Sequence, residues 1–235
     1  MKKTILAIGA HPDDIDFTAA GSVAKWVEEG ATAYYIVATD GSRGSEDPKM
    51  THERLIAIRE EEQKKAARIL GVSDVFFLSH TDTELTPSEK LKEQIVRYIR
   101  KLKPDIVITL SPDLFFKPRE DFDGYINHTD HRAISVAVMD CVFPLARDRL
   151  TFAHHEQEGL DPHKVKELLF MNLDTPEYVV DITKTFDKKL AALGAHKSQF
   201  TDYEALKKRQ IARAERFGKE RGYKYAENFT RIVLP

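Results

Sequence analysis

Short runs of apolar residues alternate with amphipathic stretches along the first half of the chain. Such runs are typical of buried strands, and a three-to-four-residue hydrophobic spacing is typical of helices. The predicted strands are Ile5–Gly9, Ala33–Thr39, Val75–Leu78 and Ile106–Leu110, and the predicted helices are Phe17–Glu29, His52–Leu70 and Ser88–Leu102. This βαβαβαβ order predicts an α/β fold, a Rossmann-like three-layer α/β/α sandwich with a mostly parallel sheet.

The second half of the chain has a less regular pattern, without a repeat, low-complexity tract or linker. The predicted helices there are Asp130–Phe143, Thr183–His196 and Tyr203–Arg221, and the predicted strands are Leu168–Leu173, Tyr178–Ile182 and Thr230–Leu234. We expect a single domain over residues 1–235, with a core of residues 1–145 that residues 146–235 complete.

Composition narrows the possible partners and compartments. The 235 residues include 36 Lys and Arg against 38 Asp and Glu, a formal net charge of −2, so no general basic field favours nucleic acid. The single cysteine, Cys141, excludes an internal disulfide framework and favours a cytoplasmic protein. No stretch approaches the ~18 apolar residues of a membrane span, and the apolar run after Lys3 is too short for a signal peptide.

Histidines and carboxylates cluster where two predicted strands end. His11, Asp13, Asp14 and Asp16 follow the first strand, and the segment after the fourth strand contains N-H-T-D-H, residues 127–131. Ligands collect at the carboxyl ends of the strands in such sheets. Carboxylates in place of a G-x-G-x-x-G turn disfavour a dinucleotide. Imidazoles and carboxylates together form a mixed N/O set that suits zinc, with water completing an open site.

These residues resemble a known family. H-P-D-D after the first strand, residues 11–14, and H-T-D-H at the start of a later helix, residues 128–131, resemble the PIG-L/LmbE-like deacetylases. Further matches are T-D-G-S-R-G at residues 39–44, R-x-x-E at residues 59–62, Asp82, and A-H-K-S-Q at residues 195–199. The resemblance implies a metal-dependent hydrolase that removes acetyl groups from N-acetylglucosamine-type sugars or glycoconjugates.

The resemblance also implies a role for individual residues. It gives His11, Asp14 and His131 as zinc ligands and leaves Asp13 as the general base toward a metal-activated water. His128 would protonate the leaving amine, with Asp130 orienting it and raising its pKa. Asp130 is also a candidate helix cap.

Arg59 and Asp82 match positions that hold sugar hydroxyls in the family, although Arg59 lies in a charged helix where a solvated face is nearly as reasonable. Asp16 and Asp40 are candidate partners of the ligands, and His196 is either a pocket residue or a buried structural histidine.

Two residues depart from the family pattern, and two segments stand outside it. Thr129 replaces a proline often found in the second motif, and Tyr125 is offset by one position from a tyrosine placed near the oxyanion. The polar segment 115–123 is a candidate lid. His154-His155-Glu156 lacks the second histidine of H-E-x-x-H and is interpreted as a surface loop.

Three functions remain open. The first is a zinc N-deacetylase for an acetylated amino sugar, which the motifs favour. The second is another metal-dependent hydrolase, either a different amidohydrolase or a phosphoesterase, and the latter would need a bimetallic cluster or several phosphate-binding cations. The third is a non-catalytic Rossmann-like module, which the retained Asp13 and His128 disfavour. A homo-oligomer is plausible from the resemblance.

Overall fold

Seven strands form the central sheet in the order β3-β2-β1-β4-β7-β9-β8. Their bounds are β1 Thr4–Gly9, β2 Thr32–Thr39, β3 Asp74–His80, β4 Ile106–Leu110, β7 Glu167–Met171, β8 Tyr178–Asp181 and β9 Ala226–Val233. All neighbouring pairs from β3 to β7 are parallel, whereas β9 is antiparallel to both β7 and β8. The computed structural model describes residues 2–113, 115–117, 125–171 and 177–235.

Helices cover both faces of the sheet. They are α1 Asp14–Glu28, α2 His52–Leu70, α3 Glu89–Leu102, α4 Thr129–Asp140, α5 Phe186–Leu193 and α6 Tyr203–Lys219. Alternate side chains of β1 pack on the two faces of the sheet. Ile5 and Ala7 belong to the hydrophobic core formed with α1, α2 and α5, whereas Leu6 and Ile8 belong to the core formed with α3 and α4. The predicted three-layer α/β/α sandwich is therefore confirmed. Strands β7 to β9 extend the same sheet, so both portions of the chain share one structural unit.

The predicted elements are present, with differences at their ends. Helix α5 begins at Phe186 instead of Thr183, because the backbone N–H of Thr185 donates to the carbonyl of Ile182 in a turn. Helix α4 ends at Asp140, and the following turn is interrupted at Phe143 (φ −147°), the residue before Pro144, where helical backbone is disfavoured. The last strand begins at Ala226, four residues earlier than expected. Part of the predicted strand Leu168–Leu173 lies outside the described residues.

The reversal of strand order beside β1 positions the site. β1 pairs with β2 on one side and with β4 on the other, so the connections after β1 and β4 leave the same edge of the sheet in opposite directions and open a crevice. After β4, a short antiparallel pair, β5 Phe116–Lys117 and β6 Tyr125–Ile126, leads into α4. Across the described ranges, every helix is too short or too polar to cross a bilayer.

Candidate metal centre

The turn after β1 holds Asp14 by its backbone. Asp14 is the first residue of α1, and its Oδ2 accepts the backbone N–H groups of Ala10 (2.9 Å) and His11 (2.8 Å). A carboxylate bonded to two amides close to a helix N-terminus is favoured in its charged form. Burial opposes that form, but the charge of His131 and the hydrogen bond from His11 hold the pKa of Asp14 well below its usual range.

The N-terminal turn of α4 brings His131 to the same point. Its Nε2 lies 3.0 Å from Asp14 Oδ1 and 3.2 Å from His11 Nδ1, and Asp14 Oδ2 lies 3.6 Å from His11 Nδ1. Zinc bound tetrahedrally at about 2.0–2.1 Å sets its donors roughly 3.3 Å apart, so these three side chains fit that ion. The other ring nitrogen of His131 lies 3.1 Å from Asn127 Oδ1, which fixes the ring orientation.

The far side of His11 contacts two more carboxylates. Its Nε2 lies 3.1 Å from Asp130 Oδ2 and 3.2 Å from Asp82 Oδ1. Burial opposes protonation of His11, but the hydrogen bonds to Asp130, Asp14 and Asp82 outweigh it and raise the pKa of His11 to about 12. The surroundings of this ring therefore strongly favour a positive charge.

A second grouping of His11, Asp82, His128 and Asp130 also has metal-binding residue types. Backbone N–H groups already occupy both oxygens of Asp130 and Oδ2 of Asp82. Asp130 accepts the N–H groups of Thr83 (2.7 Å) and Leu85 (3.2 Å), and Asp82 accepts that of Arg43 (3.0 Å). The His11–Asp14–His131 grouping is the better metal site, because Asp14 and His131 also line an open cavity.

Asp13 stands beside this grouping with its carboxylate outside it. The residue has a left-handed backbone (φ 94°), and its N–H donates to Gln63 Oε1 at 2.9 Å. Arg59 Nη2 lies 3.3 Å from Asp13 Oδ2. Burial raises the pKa of Asp13 to about 6, although the Arg59 guanidinium opposes the rise.

Arg59 is buried and directed into the site. Its Nη1 donates to the carbonyl of Gly41 (2.9 Å) and its Nη2 to that of Pro12 (2.8 Å). Gly41 has a positive φ of 61°, and a Cβ there would lie 2.8 Å from Arg59 Nη1, which accounts for glycine at this position of T-D-G-S-R-G. The solvated-face interpretation of Arg59 is wrong, since only 4% of the residue is exposed.

Asp82 is buried as well, and its predicted contact with sugar hydroxyls stays a prediction. Its Oδ1 contacts His11, and its backbone N–H donates to Asp40 Oδ1 at 3.1 Å. Burial opposes ionisation, but the hydrogen bonds from His11 and from the backbone of Arg43 lower the pKa of Asp82 to about 2. Asp40 therefore supports a carboxylate that contacts His11.

A buried polar chain runs behind Asp13. Gln63 Nε2 donates to Asp16 Oδ2 at 2.8 Å, and the same oxygen lies 2.8 Å from His196 Nε2. Burial opposes protonation of His196, but Asp16 raises its pKa. His196 is therefore a buried structural partner of Asp16, one of the two alternatives that the sequence left open. The role of Gln63 had not been anticipated.

The late motif A-H-K-S-Q is tied to α2 by a second contact. Glu62 accepts the backbone N–H of Ser198 at 2.9 Å and its hydroxyl at 2.7 Å. Glu62 and Gln63 are consecutive, so α2 connects to residues 196 and 198 at two points. Segments that are more than 130 positions apart in the sequence, α2 and the A-H-K-S-Q motif, thus pack together behind the turn that follows β1.

His128 differs in part from expectation. It is the N-cap of α4, and its Nδ1 accepts the N–H of Asp130 at 3.1 Å, so the expected capping by Asp130 is wrong. Burial and the charge of His11 lower the pKa of His128 and outweigh the opposite effect of Asp130, whose Oδ2 is 3.9 Å from Nδ1. The expected net rise of this pKa is also wrong. The ring remains accessible beside His11, at a centroid distance of 4.7 Å.

A cavity of about 270 Å³ opens against Asp13, Asp14 and His131. Its opposite wall is apolar, formed by Phe17, Leu110, Met171 and Phe200. The rings of Phe17 and Phe200 are stacked with their centroids 6.3 Å apart. The side chain of Tyr125 and most of the candidate lid, residues 118–123, lie outside the described residues.

This combination defines a class. A crevice at the reversal of a parallel sheet contains two imidazoles and a carboxylate that converge on one point, with a further carboxylate beside them and a cavity in front. Such a site is expected of a metal-dependent hydrolase of the α/β type.

Comparison with known proteins identifies the family. Residues 6–142 match PIG-L, described as GlcNAc-PI de-N-acetylase. The diacetylchitobiose deacetylase of Thermococcus kodakarensis is 33% identical over 227 residues, which cover 96% of this chain and 81% of that protein. A probable N-acetyl-alpha-D-glucosaminyl L-malate deacetylase 2 of Bacillus anthracis is 30% identical over 211 residues, covering 85% and 82%.

The solved structure of an N,N'-diacetylchitobiose deacetylase from Pyrococcus horikoshii has a TM-score of 0.89 to this fold at 30% identity, covering 98% of this chain and 84% of that one. The chain belongs to the PIG-L family, and the prediction that it is an N-deacetylase is confirmed.

Proposed function

We propose that this protein is a zinc-dependent hydrolase that removes the acetyl group of an N-acetylglucosamine-type sugar or glycoconjugate. One observation carries the proposal. The donor atoms of His11, Asp14 and His131 are 3.0–3.6 Å apart, and the Asp13 carboxylate is free of that grouping beside the cavity. One mixed N/O ligand set with an adjacent free base is what zinc-dependent amide hydrolysis requires.

His11 Nδ1, His131 Nε2 and the Asp14 carboxylate would hold the ion. When bound, zinc would polarise the acetyl carbonyl and favour ionisation of a water molecule. Asp13 would accept the proton of the attacking water, since its carboxylate lies at the cavity wall. Asp130 and Asp82 hold His11 from its other ring nitrogen and so fix the orientation of this ligand.

Departure of the sugar amine requires a proton, and we propose that His128 supplies it. Its Nδ1 accepts a backbone N–H, so the neutral ring carries one proton, on Nε2. To act as the acid, the ring would first take a second proton from solvent at Nδ1, and it would return to its neutral form by giving one proton to the amine. His128 is more accessible than His131, with 38% of its side chain exposed against 19%, so it can face a substrate. Asp130 acts on His128 through the backbone bond at the start of α4, in addition to its charge.

Arg59 and Asp82 complete the proposed substrate side. Both are largely enclosed, so we propose that Arg59 contacts substrate only beside Asp13, where its guanidinium approaches the carboxylate. The apolar wall of Phe17, Met171 and Phe200 suits the carbon face of a sugar or the acetyl methyl group.

The relatives support this substrate class, since those reported above are named as deacetylases of N-acetylglucosamine derivatives. We also propose a cytoplasmic location, supported by a single, buried and unpaired cysteine, Cys141. Homo-oligomerisation stays a prediction, which sedimentation of the purified protein would test.

The test is an amine-release assay with zinc-loaded protein and a panel of acetylated substrates. The panel contains N-acetylglucosamine, diacetylchitobiose and an N-acetylglucosaminyl malate, with a phosphate ester as the competing class. Wild-type protein should release amine, and Asp13→Asn should retain zinc while losing turnover by ~10² or more. Phosphate release without amine release would support the phosphoesterase alternative, and turnover of no substrate would support the non-catalytic module.

A further inference from the structure

A second group of metal-ligating side chains lies away from the β1 crevice. Glu93 belongs to α3, and His154 and His155 belong to a 3-10 helix, Ala153–Glu158. Glu93 Oε1 lies 2.8 Å from His154 Nε2 and 3.5 Å from His155 Nε2, and the three donor atoms are within 4.8 Å of one another. The two carboxylate–imidazole separations bracket the roughly 3.3 Å between the donors of a tetrahedral zinc ion.

A buried arginine holds this geometry in place. Arg100 of α3 is fully buried and donates to five backbone carbonyls of the connection that leads to the 3-10 helix. The acceptors are Ala146, Phe152, Leu145, Asp148 and Thr151, at 2.9–3.4 Å. Glu93 and Arg100 are two turns apart on the same helix, so this connection is fixed relative to Glu93. The two histidines are thereby held near the carboxylate, which lowers the entropy cost of forming a site.

His155 provides an independent sign of an unfilled interaction. The residue is 0% exposed, and neither of its ring nitrogens has a hydrogen-bond partner among the described residues. Buried polar groups are normally satisfied, and an unsatisfied one suggests a missing water or ion. The ring is stacked on Phe152 at a centroid distance of 5.6 Å, which directs its edge toward Glu93.

The surrounding charges leave Glu93 available. Arg97 lies 3.8 Å from Glu93 Oε1, but its guanidinium is engaged by both carboxylate oxygens of Glu158. His154 and Glu93 are 52% and 35% exposed, so water can reach the open coordination position.

We propose that Glu93, His154 and His155 form a second, surface zinc site, separate from the His11–Asp14–His131 centre. Two imidazoles and one carboxylate are a donor set that zinc accepts with water as the fourth ligand. The site ties α3 to the connection after α4, so zinc binding there should stabilise the fold.

The test is calorimetric titration of demetallated protein with zinc chloride, which counts sites per chain. Wild-type protein should bind two zinc ions, His154→Ala one, and His131→Ala one. The double variant should bind none. His163→Ala removes a histidine of the same connection that contacts the Pro104 carbonyl instead, so it should still bind two.

His154 is half exposed, so its replacement should leave the fold intact, and Glu93→Gln gives an independent second variant. Zinc should raise the Tm of His131→Ala but not that of the double variant. A zinc stoichiometry that stays at the wild-type value in both His154→Ala and Glu93→Gln would overturn the proposal, whatever that value is. This outcome is separate from the catalytic assignment, because only the His131→Ala titration tests the latter.

Discussion

Replacing Gln63 by Leu would test whether the polar chain behind the β1 turn positions the general base. Gln63 is fully buried, its Oε1 accepts the N–H of Asp13, and its Nε2 donates to Asp16. Leucine has a similar volume but can make neither bond. Within the part of the chain that the structure describes, the proposed ligands His11 and Asp14 form no hydrogen bond to Gln63, so the variant should separate positioning of Asp13 from metal binding.

The magnitudes follow from the two lost bonds. A buried N–H left unpaired costs about 1–3 kcal/mol, whereas Asp16 keeps His196 as a partner. A net loss near 2 kcal/mol lowers Tm by about 4–8 °C in a chain of this size. The left-handed backbone of Asp13 costs roughly 1–3 kcal/mol of strain, and the hydrogen bond from its N–H to Gln63 helps to hold the residue in this conformation. Release of that strain would move the carboxylate away from the cavity and lower kcat by about 5–150-fold.

The assay compares kcat, KM, zinc content and Tm of three variants. Gln63→Leu should lose kcat with near-normal KM and zinc content. Gln63→Glu keeps an acceptor for the Asp13 N–H but places a negative charge beside Asp16. Its Tm should therefore fall because of the charge repulsion, whereas its kcat should fall less than that of Gln63→Leu. Glu61→Leu is the matched control, because this residue of the same helix contacts only Lys64 at the surface. It should change stability by at most about 0.5 kcal/mol.

A lower Tm with unchanged kcat in Gln63→Leu would refute the positioning argument and leave Gln63 a purely structural residue. Parallel losses of zinc and kcat would also refute it, since they would place the effect on the metal ligands instead of on Asp13.

Three further predictions concern histidines. His131→Ala should lose the catalytic zinc, and full retention at that centre in titration would remove the ligand assignment. His128→Ala should keep this zinc but lower kcat on the amide by ~10²–10⁴, with a smaller loss on an ester analogue; equal losses would exclude the acid role. His196→Gln should cost more stability at pH 6 than at pH 9 in urea unfolding. Asp16 raises the pKa of His196 in the native state, so that stabilisation is present below about pH 6.5 and is lost as pH rises through the native value. A stability gap that widens with pH would contradict this prediction.

The fold and the two polar clusters could be predicted because their causes are local. Apolar runs specify buried strands, and parallel strands bring their C-terminal residues to one edge, so His11 and His131 were expected to meet despite a sequence separation of 120 positions. The buried face of α2 could also have been recognised from the sequence. The buried residues of this helix include Leu55, Arg59, Gln63 and Leu70, and their successive spacings of four, four and seven positions place them on one face. The charge of R-E-E-E-Q-K-K concealed that face.

Other contacts have no local signal. Asp130 could be expected to cap α4, because a carboxylate at a helix start commonly does so. Its carboxylate instead accepts N–H groups from Thr83 and Leu85, 47 and 45 positions away, whose approach depends on how the connection after β3 packs. The approach of Glu93 to His154, 61 positions away, similarly depends on how Arg100 binds the connection after α4.

The position of Asp130 constrains the chemistry of His128. Because Nδ1 of His128 accepts the Asp130 N–H, an imidazolium would have to give up this cap, and a lowered pKa agrees with that cost. A neutral imidazole is far too weak an acid to protonate an amine, so the proposed acid role requires the ring to gain a proton and to release this cap during that step. His128→Asn should therefore be informative beside His128→Ala, since asparagine can cap the helix but cannot donate a proton as an acid. Restored stability without restored kcat in His128→Asn would separate helix capping from proton donation, and recovery of both would show that His128 serves only the helix.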